Sequence, residues 1–461
     1  MRRRHFLKLS SQLLCGSALF SSSSAARITN AHIPKPRKPY NVLLLLADDL
    51  RADALGFMGN SIINTPHLDQ LASKSTIFNN CFVTTSICPT SRASILTGLY
   101  ASNHNIWDFQ SGMNEALWSK SLPFLFHKKG YRTGFVGKWG LGGELPNAKY
   151  DFFKGFSGQG EYFKDGIHMQ DRVFNSFNDF IESPNNRPFF LQMSFKTPHV
   201  QDGDAEPFQA PSSLKNLYND WIPKRLPTDS LKYFQNLPLM IQTGEGLKRY
   251  QSRYKLDTRY QHNMRQYYRL ITGMDQKVGE VIKVLKNKNL LQNTIIVFTS
   301  DNGLLTGEYG LAGKWWMFEG SIRVPLLIYI PGKSTTTDNR ISLNIDIAPT
   351  LQKLCNLIEQ ENHGLELIHP HRYYEREAFY YEHRFQTKDV QILPSSGLRT
   401  KQHKYIKFKN HNRSEEFLFN IAVDQHEKYN LASLEKYQYL LSEMRSLHDK
   451  LEINLSDESL D

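Results

Sequence analysis

The chain has 461 residues, of which 40% are hydrophobic and 12% are aromatic. This composition can bury a large core and therefore excludes an intrinsically disordered chain. The formal net charge of +11 favours either plain solubility or attraction to an acidic polymer. The basic residues are scattered and form no nucleic-acid-binding motif, so nucleic acid is not expected as a partner.

The N-terminal segment, residues 1–26, has the layout of an export signal, with a basic start, an apolar middle and a small-residue end. It is too short to predict a transmembrane anchor. Its run RRHFLK, from Arg3 to Lys8, is similar to the twin-arginine export motif, and an ordinary secretion signal with extra arginines is the alternative. The sequence predicts an exported protein, periplasmic or secreted, with residues 27–39 as a linker.

The next part of the chain alternates short apolar runs with amphipathic segments. The apolar runs predict buried strands of a parallel sheet, at 41–50, 133–137, 189–195, 294–300 and 325–330. Helical patterns fall at 121–129 and 265–290. This alternation predicts an α/β doubly wound fold.

The character of the sequence changes after about residue 370. Segments such as AFYYEHR and SEEFLFNI predict short, half-exposed antiparallel strands, and a charged helix is expected at 434–451. We therefore expect a smaller C-terminal α+β subdomain of residues 371–461, packed on an α/β domain of residues 40–370.

Acidic and amide side chains collect where predicted strands end. Asp48 and Asp49 close the first strand, and Asp301 and Asn302 follow the strand at 294–300. Ligands of open α/β sheets bind outside the carboxyl ends of the strands. Three carboxylates and one amide oxygen suit Ca²⁺ or Mg²⁺ better than zinc or copper. A strand-end turn or a helix cap is the alternative for the two adjacent aspartates.

Cationic side chains and a histidine lie near the same strand ends. A divalent cation together with Arg92, Lys138 and Lys314 would make a site for a tetrahedral oxyanion, since these cations offset charge that develops on its oxygens. His199 could protonate a leaving oxygen. Solvated lysines and a structurally satisfied histidine are the alternatives for these residues.

Cys88 is the cysteine that the pattern singles out. Cys15 lies in the signal, so the mature chain keeps an odd number of cysteines, which marks one of them as special. A disulfide with Cys81 or Cys355 and an inert buried thiol both remain open for Cys88. A thiolate nucleophile requires a histidine partner or a helix N-terminus, and the spacing to Arg92 is too short for a cysteine-based phosphatase loop.

Residues 88–98, CPTSRASILTG, are similar to the signature of type I sulfatases, C-x-P-x-R followed by A-S-x-L-T-G. Further blocks follow the family's order: NVLLLLADDL from 41, GFVGKWGLG from 134, MSFKTPHV from 193 and FTSDNGLLTGEYGLAGKWW from 298. The sequence is identified as a member of the formylglycine-dependent sulfatases of the alkaline phosphatase superfamily. That resemblance implies a large, mixed, mostly parallel sheet flanked by helices, with a smaller C-terminal subdomain.

The resemblance also implies a modified residue and a metal. A maturation enzyme would oxidise Cys88 to formylglycine, whose hydrated aldehyde, a gem-diol, has one hydroxyl to attack sulfur and a second to expel sulfate. Ca²⁺, with Mg²⁺ as the alternative, would be bound by the modified Cys88 and by Asp48, Asp49, Asp301 and Asn302.

The remaining site residues have roles implied by the same family. Arg92 would stabilise the gem-diol, and Lys138 and Lys314 would bind sulfate oxygens. His199 would bind sulfate and serve as the acid for the leaving alcohol. His104 is expected to face the site as a substrate-binding residue.

The chain departs from the family pattern at three places. Thr90 occupies the usual proline position, and the proline is Pro89, one residue earlier. Gly140 replaces the histidine of G-K-W-H-L-G, and Tyr309 replaces the histidine of G-E-H-G-L. These changes predict a reshaped site.

The resulting prediction is an exported sulfatase that hydrolyses a sulfate ester, on a carbohydrate or polysaccharide. Loops 141–170 and 200–260 are expected to set the choice of substrate. One alternative is a phosphonate or phosphate ester hydrolase of the same superfamily. The other is an unmodified relative that binds sulfated glycans without turnover.

Overall fold

The structure is a computed structural model that describes residues 38–368, 375–386, 390, 392–409 and 414–457. The predicted export signal lies outside these residues, and so does the predicted domain boundary at residue 370. Within the described ranges, no helix is both long enough and apolar enough to span a bilayer.

A mixed sheet forms the centre of the molecule. Five strands run parallel as neighbours in the order β4, β3, β5, β1, β6, and β8 then runs antiparallel between β6 and β2. The strands β7 and β9 also pair with β2, antiparallel and parallel respectively. Their bounds are β1 Asn41–Asp48, β2 Thr76–Phe82, β3 Arg132–Lys138, β4 Phe152–Phe156, β5 Phe189–Pro198, β6 Thr294–Ser300, β7 Arg323–Val324, β8 Leu326–Tyr329 and β9 Thr336–Leu343.

Strand β1 is buried on both faces, as its continuous apolar run predicts. Leu44 packs in the hydrophobic cluster on one side of the sheet, and Leu43 and Leu45 pack in the cluster on the other. The flanking helices are α1 Pro66–Ala72, α2 Cys88–Thr97, α3 Ala101–His104, α4 Glu115–Trp118, α5 Leu122–Lys128, α6 Met169–Glu182, α7 Leu231–Phe234, α8 Leu239–Gln242, α9 Glu245–Arg253, α10 Asp257–Asn287, α11 Glu319–Ile322, α12 Ile347–Leu354 and α13 Gln438–Asp457.

The C-terminal region forms a second, antiparallel sheet in the order β10, β11, β12, β13. The strands are β10 Ala378–His383, β11 Ser395–Thr400, β12 His403–Lys409 and β13 Ser414–Asn420, and α13 packs against the first three. Phe379 stacks on Phe82 of the main sheet at 5.2 Å between ring centres. The Tyr381 hydroxyl donates a hydrogen bond to the Trp315 carbonyl. The second sheet therefore covers the loop that follows Lys314.

The predicted fold class is confirmed: a large, mostly parallel sheet with helices on both sides and a C-terminal antiparallel sheet. The strand predicted at 294–300 matches β6, whereas the helix predicted at 265–290 begins earlier, at Asp257. The strands β2 and β9 were not predicted. Their sequences, TIFNNCF and TTDNRISL, carry polar residues that hide the apolar run expected of a buried strand.

Candidate active site

Parallel neighbouring strands deliver most of the predicted site residues to one edge of the sheet. Asp48 and Lys138 are the last residues of β1 and β3, His199 follows β5, and Asp301 and Asn302 follow β6. All five residues are buried, none more than 2% exposed. The carboxyl ends of these strands meet at this edge, which is where open α/β sheets place their ligands.

Cys88 opens helix α2 and points into this edge. Pro89 lies in the first turn, where a proline costs no helical hydrogen bond. The Cys88 Sγ lies 3.3 Å from Asp48 Oδ1 and 2.9 Å from Lys314 Nζ. Its distance to Lys138 Nζ is 3.9 Å. The structure thus places Cys88 among a carboxylate and two ammonium groups.

The Cys88 side chain is a protonated thiol in this environment. Burial raises the pKa of the thiol well above its ordinary value, and the carboxylates of Asp301 and Asp48 add to that rise. An unmodified Cys88 is therefore a poor thiolate nucleophile, although it begins a helix. Cys81, Cys88 and Cys355 are all free and buried, so the disulfide alternative finds no support.

Arg92, one helical turn after Cys88, ties the strand ends together. Its guanidinium is fully buried and lies 3.0 Å from Asp48 Oδ2 and 2.8 Å from Asp301 Oδ2. It also donates hydrogen bonds of 2.7 Å to the Lys138 carbonyl and to Ser194 Oγ. Because these partners lie on three strands and directly after a fourth, Arg92 holds the site's geometry as well as contributing charge.

Asp49 has a strained backbone and crowded charges. Its φ of 61° lies in the left-handed region, and its carboxylate accepts hydrogen bonds from Lys314 and, at 2.6 Å, from Asn302 Nδ2. Burial raises the pKa of Asp49 to about 6; Lys314 opposes this rise and Asp48 adds to it. Strain and like-charge repulsion of this kind are common at functional sites.

The residues present fit a hard divalent cation. Asp48, Asp49, Cys88 and His199 each offer a ligand atom, and these atoms lie within 4.8 Å of one another. The Asn302 Oδ1 is buried without a hydrogen-bond partner among the described residues. A buried, unpaired amide oxygen beside carboxylates is what an oxygen-ligated cation would complete.

His199 is held in one orientation. Its Nδ1–H donates to the Val200 carbonyl at 2.7 Å, which leaves Nε2 facing Asp49 Oδ2 at 3.5 Å. Burial, together with the nearby Lys138 ammonium, holds the pKa of His199 well below its usual range. The Tyr162 hydroxyl donates to the His199 carbonyl and fixes the loop.

Within the described residues, the contacts of His104 are structural. Its Nε2 lies 3.1 Å from Ser94 Oγ, and its Nδ1 accepts from the Ile106 amide at 3.1 Å. Burial lowers its pKa to about 3. These bonds join α3 to α2, and a substrate contact for His104 stays a prediction.

Two of the family departures have a steric explanation. Gly140 has a φ of 74°, and a Cβ there would lie 2.6 Å from Arg92 Nε, so a histidine would displace that guanidinium. Tyr309 is buried, packs against Phe318 with tilted rings 4.5 Å apart between centres, and donates a hydrogen bond from its hydroxyl to the Glu427 carbonyl. Tyr309 therefore belongs to the packing between the two sheets.

Two residues near the site escaped the sequence analysis. Gln159 Oε1 accepts a 2.6 Å hydrogen bond from Lys138 Nζ, and nothing in its loop sequence marks it. Lys196 lies on β5 on the same face as Ser194, so the two-residue period of a strand could have found it. Burial, aided by the Lys138 charge, lowers the pKa of Lys196 to about 7.

Comparisons with known families agree with this arrangement. A family model described as sulfatase matches residues 40–357. A second model, described as N-sulphoglucosamine sulphohydrolase, C-terminal, matches residues 307–454. The N-acetylglucosamine-6-O-sulfatase of Bacteroides thetaiotaomicron is 26% identical over 524 residues, which cover 98% of this chain and 92% of that protein.

Solved structures share the fold. One protein, solved in complex with its substrate D-glucosamine-2-N,6-O-disulfate, superposes with a TM-score of 0.78 at 23% identity, covering 91% of this chain and 99% of its own. The phosphonate monoester hydrolase of Agrobacterium radiobacter gives a TM-score of 0.73 at 22% identity, covering 92% and 96%. At these identities the likeness concerns the fold and does not distinguish the two chemistries.

Proposed function

We propose that this chain, which belongs to the sulfatase family and is thereby a sulfuric ester hydrolase, is exported and hydrolyses sulfate esters of carbohydrates through a formylglycine made from Cys88 and a bound divalent cation. The observation that carries this proposal is the position of Cys88. Its sulfur lies 2.9 Å from Lys314 Nζ and 3.3 Å from Asp48 Oδ1, at the start of a buried helix.

Cys88 gains its function through modification. The aldehyde that replaces the thiol hydrates to a gem-diol, which supplies one hydroxyl to attack sulfur and a second to release sulfate. An unmodified thiol with a raised pKa supplies neither group. This contrast is the chemical reason for a maturation enzyme as a partner of this chain.

The cationic residues stabilise the charge of the transferring group. Lys138 and Lys314 flank the Cys88 sulfur at 3.9 and 2.9 Å, close enough for each to contact an oxygen of sulfate bonded there. Arg92 is fully occupied by Asp48, Asp301 and backbone partners, so its role is to orient the helix start. Preorganised cations of this kind stabilise developing negative charge without reorganisation.

His199 is the residue that protonates the leaving alcohol. Its Nδ1–H is held by the Val200 carbonyl, so Nε2 is the nitrogen that carries the transferable proton. Burial and Lys138 keep the free imidazole neutral. The negative charge of a bound sulfate ester offsets the Lys138 charge and favours the protonated form that the acid step needs.

A cation would complete the acidic part of the site. Its ligands would be the modified Cys88 with Asp48, Asp49, Asp301 and Asn302. When bound, the cation would polarise the oxygens that it coordinates. We assign Ca²⁺, with Mg²⁺ as the alternative, because all of these donors are oxygen atoms.

The carbohydrate substrate is supported by the relatives. The Bacteroides thetaiotaomicron protein is named for a 6-O-sulfated amino sugar, and the C-terminal family model is named for an N-sulfated one. The basic net charge of +11 also favours an acidic polymer such as a sulfated polysaccharide.

Export is proposed from the N-terminal sequence. Twin-arginine export carries folded proteins and would suit modification of Cys88 before transport to the periplasm or beyond. Replacing the motif by Arg3→Lys with Arg4→Lys is expected to abolish export. Unimpaired export of this variant would reject the twin-arginine route while leaving a general secretion signal in place.

The test combines peptide mass spectrometry with an assay of ester hydrolysis. Peptide mass spectrometry across residues 75–100, on protein from its native host, is expected to show the formylglycine mass at Cys88. The same preparation should hydrolyse an aryl sulfate much faster than an aryl phosphate or a phosphonate monoester. An intact thiol would support the binding-protein alternative, and preferred turnover of the phosphonate would support the hydrolase alternative.

A further inference from the structure

A polar cluster lies beside the proposed site, in the loop region 200–260. It consists of Asp202, Arg249 and Arg253, with the ring of Trp315 beneath one guanidinium. We infer that Asp202 and Arg249 form the subsite that binds hydroxyl groups of the sugar from which sulfate is removed. This inference rests on the proposed function and names the residues that recognise its leaving group.

One route through the chain connects this cluster to Lys314. Helix α9, Glu245–Arg253, packs on the short strand Ala312–Gly313, which immediately precedes Lys314. The Arg249 guanidinium lies 4.8 Å from the ring centre of Trp315, the next residue after Lys314. Arg249 therefore contacts the residue that directly follows a proposed sulfate-binding residue.

A second route connects the cluster to His199. Asp202 follows His199 by three residues in the same loop, and Arg253 Nη2 holds its Oδ1 at 2.5 Å. Burial would raise the pKa of Asp202, but the charges of the neighbouring arginines, Arg249 first and then Arg253, help to lower it to about 2. The carboxylate is thus ionised and lies on the side of the site where the leaving alcohol is protonated.

The cluster keeps unused hydrogen-bonding capacity at the surface. The side chain of Asp202 is 37% exposed and that of Arg249 is 20% exposed, whereas Arg253 is only 10% exposed. A carboxylate offers about four acceptor positions and a guanidinium five donors. Arg249 Nη1 lies 3.8 Å from Asp202, beyond hydrogen-bond distance, and its Nε is held by Glu245 at 2.7 Å. Arg253, the least exposed of the three side chains, holds the Asp202 carboxylate in place.

An acceptor beside a donor suits neutral hydroxyls better than a second anion. A sugar hydroxyl can donate to Asp202 while a neighbouring hydroxyl accepts from Arg249, and both bonds are strengthened by charge. A second sulfate or a carboxylate would meet the negative charges of Asp202 and Glu245. The balance of two arginines with two acids therefore favours the hydroxyl groups of the sugar ring.

The test is the ratio of kcat/KM for a sugar sulfate to kcat/KM for an aryl sulfate, called the sugar-to-aryl ratio. We would measure kcat/KM for 4-nitrophenyl sulfate, which has no sugar hydroxyls, and for N-acetylglucosamine 6-sulfate, galactose 6-sulfate and uronic acid 2-sulfate. Using the sugar that the unaltered enzyme hydrolyses fastest, Asp202→Asn and Arg249→Gln should each lower the sugar-to-aryl ratio by about 30-fold, the loss expected for a charged hydrogen bond. Arg249→Lys should recover little, because it lacks the fork of donors.

Matched controls come from the same loop and the same helix. Asp204→Asn and Lys248→Gln change exposed charges near the cluster and should move the ratio less than threefold. Thermal unfolding of each variant separates misfolding from altered recognition. A ratio within threefold of the unaltered enzyme for folded Asp202→Asn and Arg249→Gln would overturn the subsite.

The remaining outcomes separate the hydroxyl assignment, the proposed function and the subsite. A drop confined to sugars that carry a second anionic group would overturn the hydroxyl assignment. An unaltered enzyme with no activity on any sulfate ester would reject the proposed function itself. An active enzyme whose ratio does not respond to the variants would reject only the subsite.

Discussion

Two groups of buried charged side chains lie at opposite ends of the segment 314–319. The first lies at the strand ends and is called the catalytic group here after its proposed role: Asp48, Asp49, Asp301, Arg92, Lys138 and Lys314. The second joins the two sheets and is called the inter-sheet group here: Glu319, Glu427, Arg399 and Lys404. Both groups balance their formal charges, yet they differ in how completely their hydrogen bonds are satisfied.

The inter-sheet group is saturated. Lys404 Nζ has three donors, and its partners are Glu319 Oε1 at 2.6 Å, Glu427 Oε1 at 2.8 Å and the Met317 carbonyl at 2.8 Å. Arg399 Nε bonds Glu319 at 2.8 Å. Each charged group therefore has a partner, which indicates that the inter-sheet group has a structural role in joining the two sheets.

The catalytic group is not saturated. Asn302, which bonds Asp49 of this group, has an Oδ1 without a partner among the residues described. Asp49 itself has a positive φ, and burial raises its pKa to about 6. Buried charge alone thus does not mark a functional site. The unsatisfied atom is the distinguishing sign, because Glu427 of the inter-sheet group also has a positive φ, of 56°, and burial also raises its pKa.

The largest expected effect comes from Lys314→Met. This change removes a cation that lies 2.9 Å from the Cys88 sulfur. Activity on an aryl sulfate should fall by about a thousandfold, as when one preorganised charge-stabilising group is lost. Steady-state kinetics on the modified enzyme measures this, with the formylglycine content checked by mass spectrometry. Activity within tenfold of the unaltered enzyme would show that Lys314 has no part in the chemistry.

Lys404→Met makes the matched change in the inter-sheet group. Removing one member of a buried, fully bonded group leaves Glu319 and Glu427 uncompensated, and the free energy of unfolding should fall by about 4 kcal/mol. Denaturant unfolding measures this loss. Activity per folded molecule should change less than tenfold, because Lys404 does not touch Cys88. A stable but inactive variant would contradict the division between the two groups.

The sequence predicted the catalytic group better than the inter-sheet group. Asp48, Lys138 and Asp301 end or follow strands whose apolar runs are easy to recognise, so their meeting at one edge follows from parallel pairing. The contact of Lys404 with Glu319 joins residues far apart in the chain and depends on how the second sheet docks. No local pattern encodes that docking, so the inter-sheet contacts could not be derived from periodicity.

The sequence analysis missed polar strands and loop residues for a related reason. Strand β2 contains two adjacent asparagines, and Gln159 sits in a loop without a motif. Their positions are set by tertiary contacts, with β8 and β9 for the strand and with Lys138 for the glutamine. Local propensity carries little information where such contacts decide the structure.

A third prediction tests whether the unsaturated group holds a cation. Ca²⁺ at a hundred times its dissociation constant should stabilise the protein by about 3 kcal/mol, since it binds only the folded site. Thermal unfolding after chelation, with and without added Ca²⁺ or Mg²⁺, measures this shift. Asp301→Asn should lose most of it, whereas Lys404→Met should keep it. A full shift in Asp301→Asn would place the cation elsewhere.

The smallest expected effect concerns Gly140. The lack of space at this position explains why the histidine of the family motif is absent. Gly140 and Gly158 both have a positive φ, of 74° and 63°, but a Cβ at Gly140 would lie 2.6 Å from Arg92 Nε, whereas at Gly158 it would meet no atom within 4 Å. Alanine at either position costs about 1 kcal/mol from the backbone conformation alone.

Gly140→Ala should therefore lower the free energy of unfolding by about 2 kcal/mol more than Gly158→Ala does, because Arg92 is fully buried and cannot yield. Denaturant unfolding of the two variants gives the difference. Activity should fall with Gly140→Ala, because a displaced guanidinium loosens its contacts with Asp48 and Asp301. Equal stability losses would mean that Arg92 moves aside at no cost. The catalytic group would then have room for the histidine of the family motif G-K-W-H-L-G.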